Sequence, residues 1–167
     1  MNSLDEILLP YQRRFVMAPK KKKIALFSRQ AGKSLACSFA AVSSAMTHRN
    51  GLSLVVSTGQ RAAEEFVKKA EMFAEALKVM TQGKLKFQSA RDEIRFSNGS
   101  RVISLPSGNP SALRGWTTNG GAVILDEAAF IPNLEDVLAA IAPTMTRCKD
   151  SPLIFASTPA GKNSLFY

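Results

Sequence analysis

The sequence predicts an α/β protein, with a mainly parallel sheet flanked by helices and a β-hairpin around residues 92–105. Three observations carry that expectation. Short runs that are apolar throughout alternate with longer helical stretches, the pattern of strands covered on both faces. The polar residues best able to do chemistry stand directly after those runs, and ligands of such sheets bind beyond the carboxyl ends of their strands. A length of 167 residues, 46% of them hydrophobic and 21% charged, suits one globular domain with a sizeable core.

The elements follow in order. Residues 4–17 have helical character, broken at Pro10. "IALF" (24–27) is a short strand, followed by the loop "SRQAGKS" and a buried helix from Lys33 to about Met46. "LSLVVS" (52–57), between Gly51 and Gly59, is a second strand. Residues 60–80 place Ala63, Phe66, Val67, Ala70, Phe73, Ala74 and Leu77 on one stripe, with charges largely opposite, which makes an amphipathic helix. In "DEIRFSNGSRVISLP" Ile94 and Phe96 alternate, Asn98-Gly99 turns the chain, and Val102, Ile103 and Leu105 return. A glycine-rich polar loop covers 107–121. "AVIL" (122–125) and "PLIFAS" (152–157) are the last strands, with a helix around Leu134–Pro143 between them.

Charge narrows the function. A net charge of +9 and a pI near 9.9 favour a polyanionic partner, most simply nucleic acid. Arg13, Arg14 and Lys20 to Lys23 crowd ahead of the first strand; the lysine run reads either as a solvated loop or as a nucleotide or DNA contact. No apolar run approaches the ~20 residues of a membrane span, and the N-terminus lacks a secretory h-region. Cys37 and Cys148 are too few and too distant for a metal cluster, so two reduced thiols in an intracellular protein are expected.

The loop ends as a phosphate loop does. Gly32 allows close backbone approach, Lys33 suits the β- and γ-phosphates of ATP, and the Ser34 hydroxyl suits Mg²⁺. Phe27, however, stands where the G-x-x-x-x-G-K-[ST] pattern has its first glycine. In "AVILDEAAF" the strand delivers Asp126 as a hard oxygen ligand for the metal and Glu127 as a general base toward water. A plain solvated acidic pair is the structural alternative.

In "SRQAGKS", "VILDEAAF" and "STPAGKNSLFY", in that order, the chain resembles the N-terminal ATPase domain of the terminase large subunit of tailed bacteriophages. The resemblance implies a P-loop NTPase of the ASCE, RecA-like kind, spanning 1–167 as a single domain. It makes the Arg29-Gln30 departure a family mark, with Ser28, Arg29, Gln30, Ala31, Gly32, Lys33 and Ser34 around the phosphates. Arg29 would offset transition-state charge. "LLPYQRRF" resembles the family's adenine segment, with Gln12 reading the base. "ALRGW" makes Arg114 an arginine finger acting on a neighbouring subunit, or else a loop arginine on backbone or DNA phosphate. Ser157 and Thr158 match the coupling motif. The implied function is ATP hydrolysis that drives double-stranded DNA into procapsids in the host cytoplasm. Implied partners are further large subunits in a ring, the small terminase subunit and the portal protein, with no membrane. The family's nuclease domain is absent from this chain, so no DNA cleavage is expected. A superfamily-2-type helicase or translocase, and a nucleotide- or DNA-binding module without turnover, are the alternatives; a metabolic kinase lacks a visible acceptor site.

Overall fold

The computed structural model describes residues 7–146, 150–161 and 165–166. The strands are β1 (Lys22–Leu26), β2 (Leu52–Ser57), β3 (Phe87–Ser89), β4 (Glu93–Phe96), β5 (Arg101–Pro106), β6 (Val123–Asp126) and β7 (Leu153–Ser157). The helices are α1 (Pro10–Met17), α2 (Lys33–Thr47), α3 (Gln60–Met80) and α4 (Leu134–Thr146). The strands form one seven-stranded sheet in the order β1-β7-β6-β2-β5-β4-β3. Pairing is parallel from β1 to β5, with β4 and β3 added antiparallel at one edge. The fold is thus the predicted mixed α/β sheet flanked by helices.

Alternation along the strands feeds two cores. Val55, Ile124 and Ile154 face Ala41, Val42, Phe66 and Phe73 of α2 and α3, with Phe15 and Val16 of α1 at the margin. Leu54, Val56, Val123 and Leu125 face Val137 and Ile141 of α4 on the other side. Each large side chain so buried contributes roughly 1.5–3 kcal/mol of transfer free energy. Cover is incomplete at the β1 edge, where Ile24 is 71% and Leu26 61% exposed.

Four details differ from the sequence expectation. Pro10 starts α1 instead of breaking it, because a first-turn residue has no intrahelical N–H bond to lose. The Gln12 side chain accepts the Leu9 N–H at 2.9 Å, one arm of a capping box; residues 4–6 of the expected helix lie outside the described residues. β1 begins at Lys22 and ends at Leu26, its ladder with β7 running from Lys22 to Leu26. β6 extends one residue further than expected and ends on Asp126. β3 was not foreseen: three residues, Phe-Gln-Ser, carry too little pattern.

The hairpin is β4–β5, with Phe96 N–H bonded to Ser100 O (2.9 Å) and Gly99 at φ +84°, a conformation that costs glycine little. Its return strand also pairs parallel to β2, so the hairpin grows out of the sheet itself. Cys37 is buried and free; Cys148 lies outside the described residues. Among the described residues no helix is long and apolar enough to cross a membrane.

Candidate functional site

The strand order sets β1, β7 and β6 side by side and parallel, so their carboxyl ends open at one edge. That edge holds a cleft of 750 Å³. The loop between β1 and α2 forms one bank. Phe27 donates its N–H to Ser157 O (3.0 Å), prolonging the β1–β7 ladder by one residue. Its ring is buried edge-on against Phe15 (5.5 Å) and tilted toward Tyr11 (6.3 Å). Where the common pattern has a glycine, this chain therefore has an aromatic anchor that ties the loop to α1.

The loop is also held from beneath. Gln12, 2% exposed, donates through Nε2 to Ala31 O (3.0 Å) and Gly32 O (3.4 Å), and Tyr11 Oη donates to Ala31 O (2.7 Å). Gly32 caps α2 at φ +71°, and a Cβ there would lie 2.2 Å from Gln12 Nε2. The left-handed backbone favours glycine here, and a Cβ would push the Gln12 amide off the loop carbonyls. Ser28, Arg29 and Gln30 are exposed at the cleft, in front of the α2 N-terminus, where free backbone N–H groups favour an anion.

Opposite the loop stands the acidic pair. Lys33, the first residue of α2, is buried and bridged to Asp126 Oδ1 and, at 3.2 Å, to Glu127 Oε1. Ser34 Oγ lies 3.2 Å from Asp126 Oδ2. Glu127 has a left-handed backbone (φ +55°, ψ +43°), uncommon away from glycine, and heads a short 3₁₀ turn at Ala128–Phe130. Its Oε2 accepts from Thr158 N–H (3.2 Å) and Thr158 Oγ1 (3.3 Å). Ser157 Oγ donates to Thr158 O (2.9 Å), accepts from Ala129 N–H (3.2 Å) and lies 3.4 Å from Glu127 Oε2.

These contacts set the charges. Burial alone would lower the Lys33 pKa, but Asp126, and then Glu127, hold it above the ordinary lysine value. Burial would raise the Glu127 carboxyl, yet the Thr158 N–H and Lys33 outweigh it and keep it below the usual range. Burial, with Asp126 nearby, pushes the Cys37 thiol far up, so it is no nucleophile. The site therefore presents an ammonium, an anion-directed helix end and a deprotonated carboxylate together. Ser34 Oγ and Asp126 Oδ2 are hard oxygen donors already adjacent. As a set they suit a small divalent cation that takes few protein ligands and keeps its waters.

Most of the expected residues thus meet here. The structure joins Ser28 through Ser34 to Asp126, Glu127, Ser157 and Thr158. Two expected residues stand elsewhere. Gln12 is beneath the loop, its amide engaged with loop carbonyls. Arg114 is exposed after a 3₁₀ turn at Pro110–Leu113 and does not line the cleft. The cleft also has walls that sequence reasoning missed: Thr58 after β2, Lys69 and Met72 on α3, and Phe130. Phe130 belongs to "DEAAF", and Tyr11 adjoins Gln12, so both had a signal; Lys69 reads only as part of a charged helix face.

A sequence profile of the family described as terminase large subunit, T4likevirus-type, N-terminal, matches residues 24–167. The chain is 31% identical over 174 aligned residues to the Mu-like prophage FluMu protein gp28 of Haemophilus influenzae, covering 97% of this chain. It spans 33% of that relative's length. Its structure is similar to the large terminase ATPase domain of Thermus phage P74-26, with TM-score 0.81 and 24% identity, over 98% of this chain and 71% of that one. It is also similar to the large terminase of the thermophilic bacteriophage D6E in complex with ADP, with TM-score 0.69 and 16% identity, over 91% of this chain and 39% of that one. At these identities the structural likenesses show the fold.

Proposed function

The chain belongs to the terminase large-subunit family of T4likevirus type, matched by its N-terminal model, and from that membership we propose that it is the ATP-hydrolysing motor part of a DNA-packaging machine. The single observation that carries this reading is the convergence of Lys33, Ser34, Asp126, Glu127 and Thr158 at one sheet edge, beside the loop between β1 and α2.

In this reading Lys33 leaves the acidic pair for the β- and γ-phosphates, while Gly32 and the α2 N-terminus supply backbone donors. Arg29, exposed at the cleft, offsets charge that grows on the terminal phosphate. Ser34 and Asp126 would hold Mg²⁺, which supplies Lewis-acid stabilisation of phosphate charge. Glu127, kept as carboxylate, orients and polarises the attacking water. Thr158 and Ser157 sense the Glu127 carboxylate and pass its position to β7, the mechanical output of the site. Gln12 holds the loop's underside and so couples the segment before β1 to the phosphates. Arg114, outside its own chain's cleft, serves a neighbouring copy in a ring. The partners proposed are double-stranded DNA, further large subunits, the small subunit and the portal protein, in the host cytoplasm.

The test is magnesium-dependent ATP hydrolysis by the purified chain, with and without double-stranded DNA, beside Glu127→Ala. The expected outcome is turnover that falls at least ~100-fold in the variant while nucleotide binding persists. Nucleotide binding without turnover, unchanged by Glu127→Ala, would favour a binding module instead. Mixing Arg114→Ala with Glu127→Ala chains probes the neighbour's role: partial recovery of hydrolysis is expected, and none would place Arg114 outside the chemistry.

A further inference from the structure

One wall of the cleft comes from α3. Lys69 and Met72 stand one turn apart there and line the same cleft as Gln30, Gly32 and Lys33. Three cations, Arg29, Lys33 and Lys69, border that cleft. Lys33 is committed to Asp126 and Glu127. Lys69 makes no ion pair or hydrogen bond among the described residues, although it is only partly exposed.

The rest of α3 makes this unusual. Lys68 pairs with Glu65 at 3.1 Å, and Lys78 pairs with Glu75 at 3.3 Å, each the ordinary fate of a helix-surface lysine. Glu65 stands four residues before Lys69 and feels its charge, yet its carboxylate bonds to Lys68. Among the described residues Lys69 is therefore left as an uncommitted ammonium on the side of the helix that lines the cleft. A polyphosphate bound against the loop brings more negative charge than Lys33 alone can balance. An ammonium on a flexible stem can meet it from across the cleft as a point charge.

We propose that Lys69 is a nucleotide-binding residue that contacts the distal phosphates from α3, completing with Arg29 and Lys33 a cationic ring around them. The assignment rests on the nucleotide reading of this cleft. It makes α3 part of the site and makes affinity depend on the charge at the far end of the nucleotide.

The experiment measures dissociation constants of Mg·ATP and Mg·ADP for the parent chain, Lys69→Met, Lys69→Arg and Lys33→Ala. Thermal melting of each chain checks the fold, which a partly exposed position leaves intact. Lys69→Met is expected to weaken Mg·ATP about fivefold to tenfold and Mg·ADP less, with the difference shrinking in high salt and Lys69→Arg restoring affinity. A folded Lys69→Met chain that binds Mg·ATP within about twofold of the parent, while Lys33→Ala loses binding, overturns the Lys69 assignment alone. A parent chain that binds neither nucleotide, or that matches Lys33→Ala, overturns the nucleotide reading and Lys69 with it.

Discussion

At the scale of residues, the site is governed by which group holds which charge. Glu127 is the clearest case, because its carboxyl pKa is lowered in the folded chain by the Thr158 N–H and Lys33 in spite of burial. A depressed folded pKa contributes stability that is present above the unfolded value, about 4.3, and is lost as pH falls through the folded value. Glu127→Gln should therefore lower the melting temperature at pH 7, and its gap to the parent should close as the pH drops below 5. A gap that stays constant across that range would mean the carboxylate is not held by these contacts. The sequence made this residue legible, because an acid directly after an apolar run needs a reason to be there. It did not make Lys69 legible, since one lysine among several on a helix looks solvated until its cleft is seen. Gln12 was legible as a special residue, but not the engagement of its amide with the carbonyls of Ala31 and Gly32, which depends on α1 packing under a loop some 20 positions away.

Elements were readable in proportion to their pattern. α3 was legible end to end, since its apolar stripe repeats over 21 residues. β3, with three, had no period to read. Pro10 misled because proline breaks a helix interior but suits its first turn, and only the structure shows which position it occupies. β1 differs: "IALF" reads as a buried strand, yet its Ile24 and Leu26 are largely exposed because, among the described residues, no helix covers the face of this edge strand that carries them. Burial, not hydrophobicity, then decides what each side chain contributes. Ile24→Thr and Leu26→Thr should each change the unfolding free energy by less than about 0.5 kcal/mol. Ile154→Ala, on the adjacent strand and 1% exposed, should cost about 2–5 kcal/mol. Denaturant melts of the three variants check this; equal losses would mean that the β1 face is covered in solution.

For the whole molecule, the parallel order β1-β7-β6 means that the site is not a local motif but a meeting of three segments far apart in sequence, after β1, β6 and β7. Lys33 stands 93 positions from its partner Asp126, and Thr158 stands 31 from Glu127. The loop, the acidic pair and the Ser-Thr pair come together only when the sheet is complete, so nucleotide binding should be linked to global folding. A ligand that binds only the folded chain stabilises it by about 2.7 kcal/mol at a hundredfold excess over its dissociation constant. For a domain of this size each kcal/mol is worth about 2–4 °C, so saturating Mg·ADP should raise the melting temperature by roughly 5–10 °C. Lys33→Ala should abolish the rise, because it removes the ammonium around which the cleft is built. Glu127→Gln should keep it, since that carboxylate is assigned to water and not to the phosphates. A rise of equal size in Lys33→Ala would mean that the nucleotide binds elsewhere on this basic surface, as any polyanion can on a chain of net charge +9.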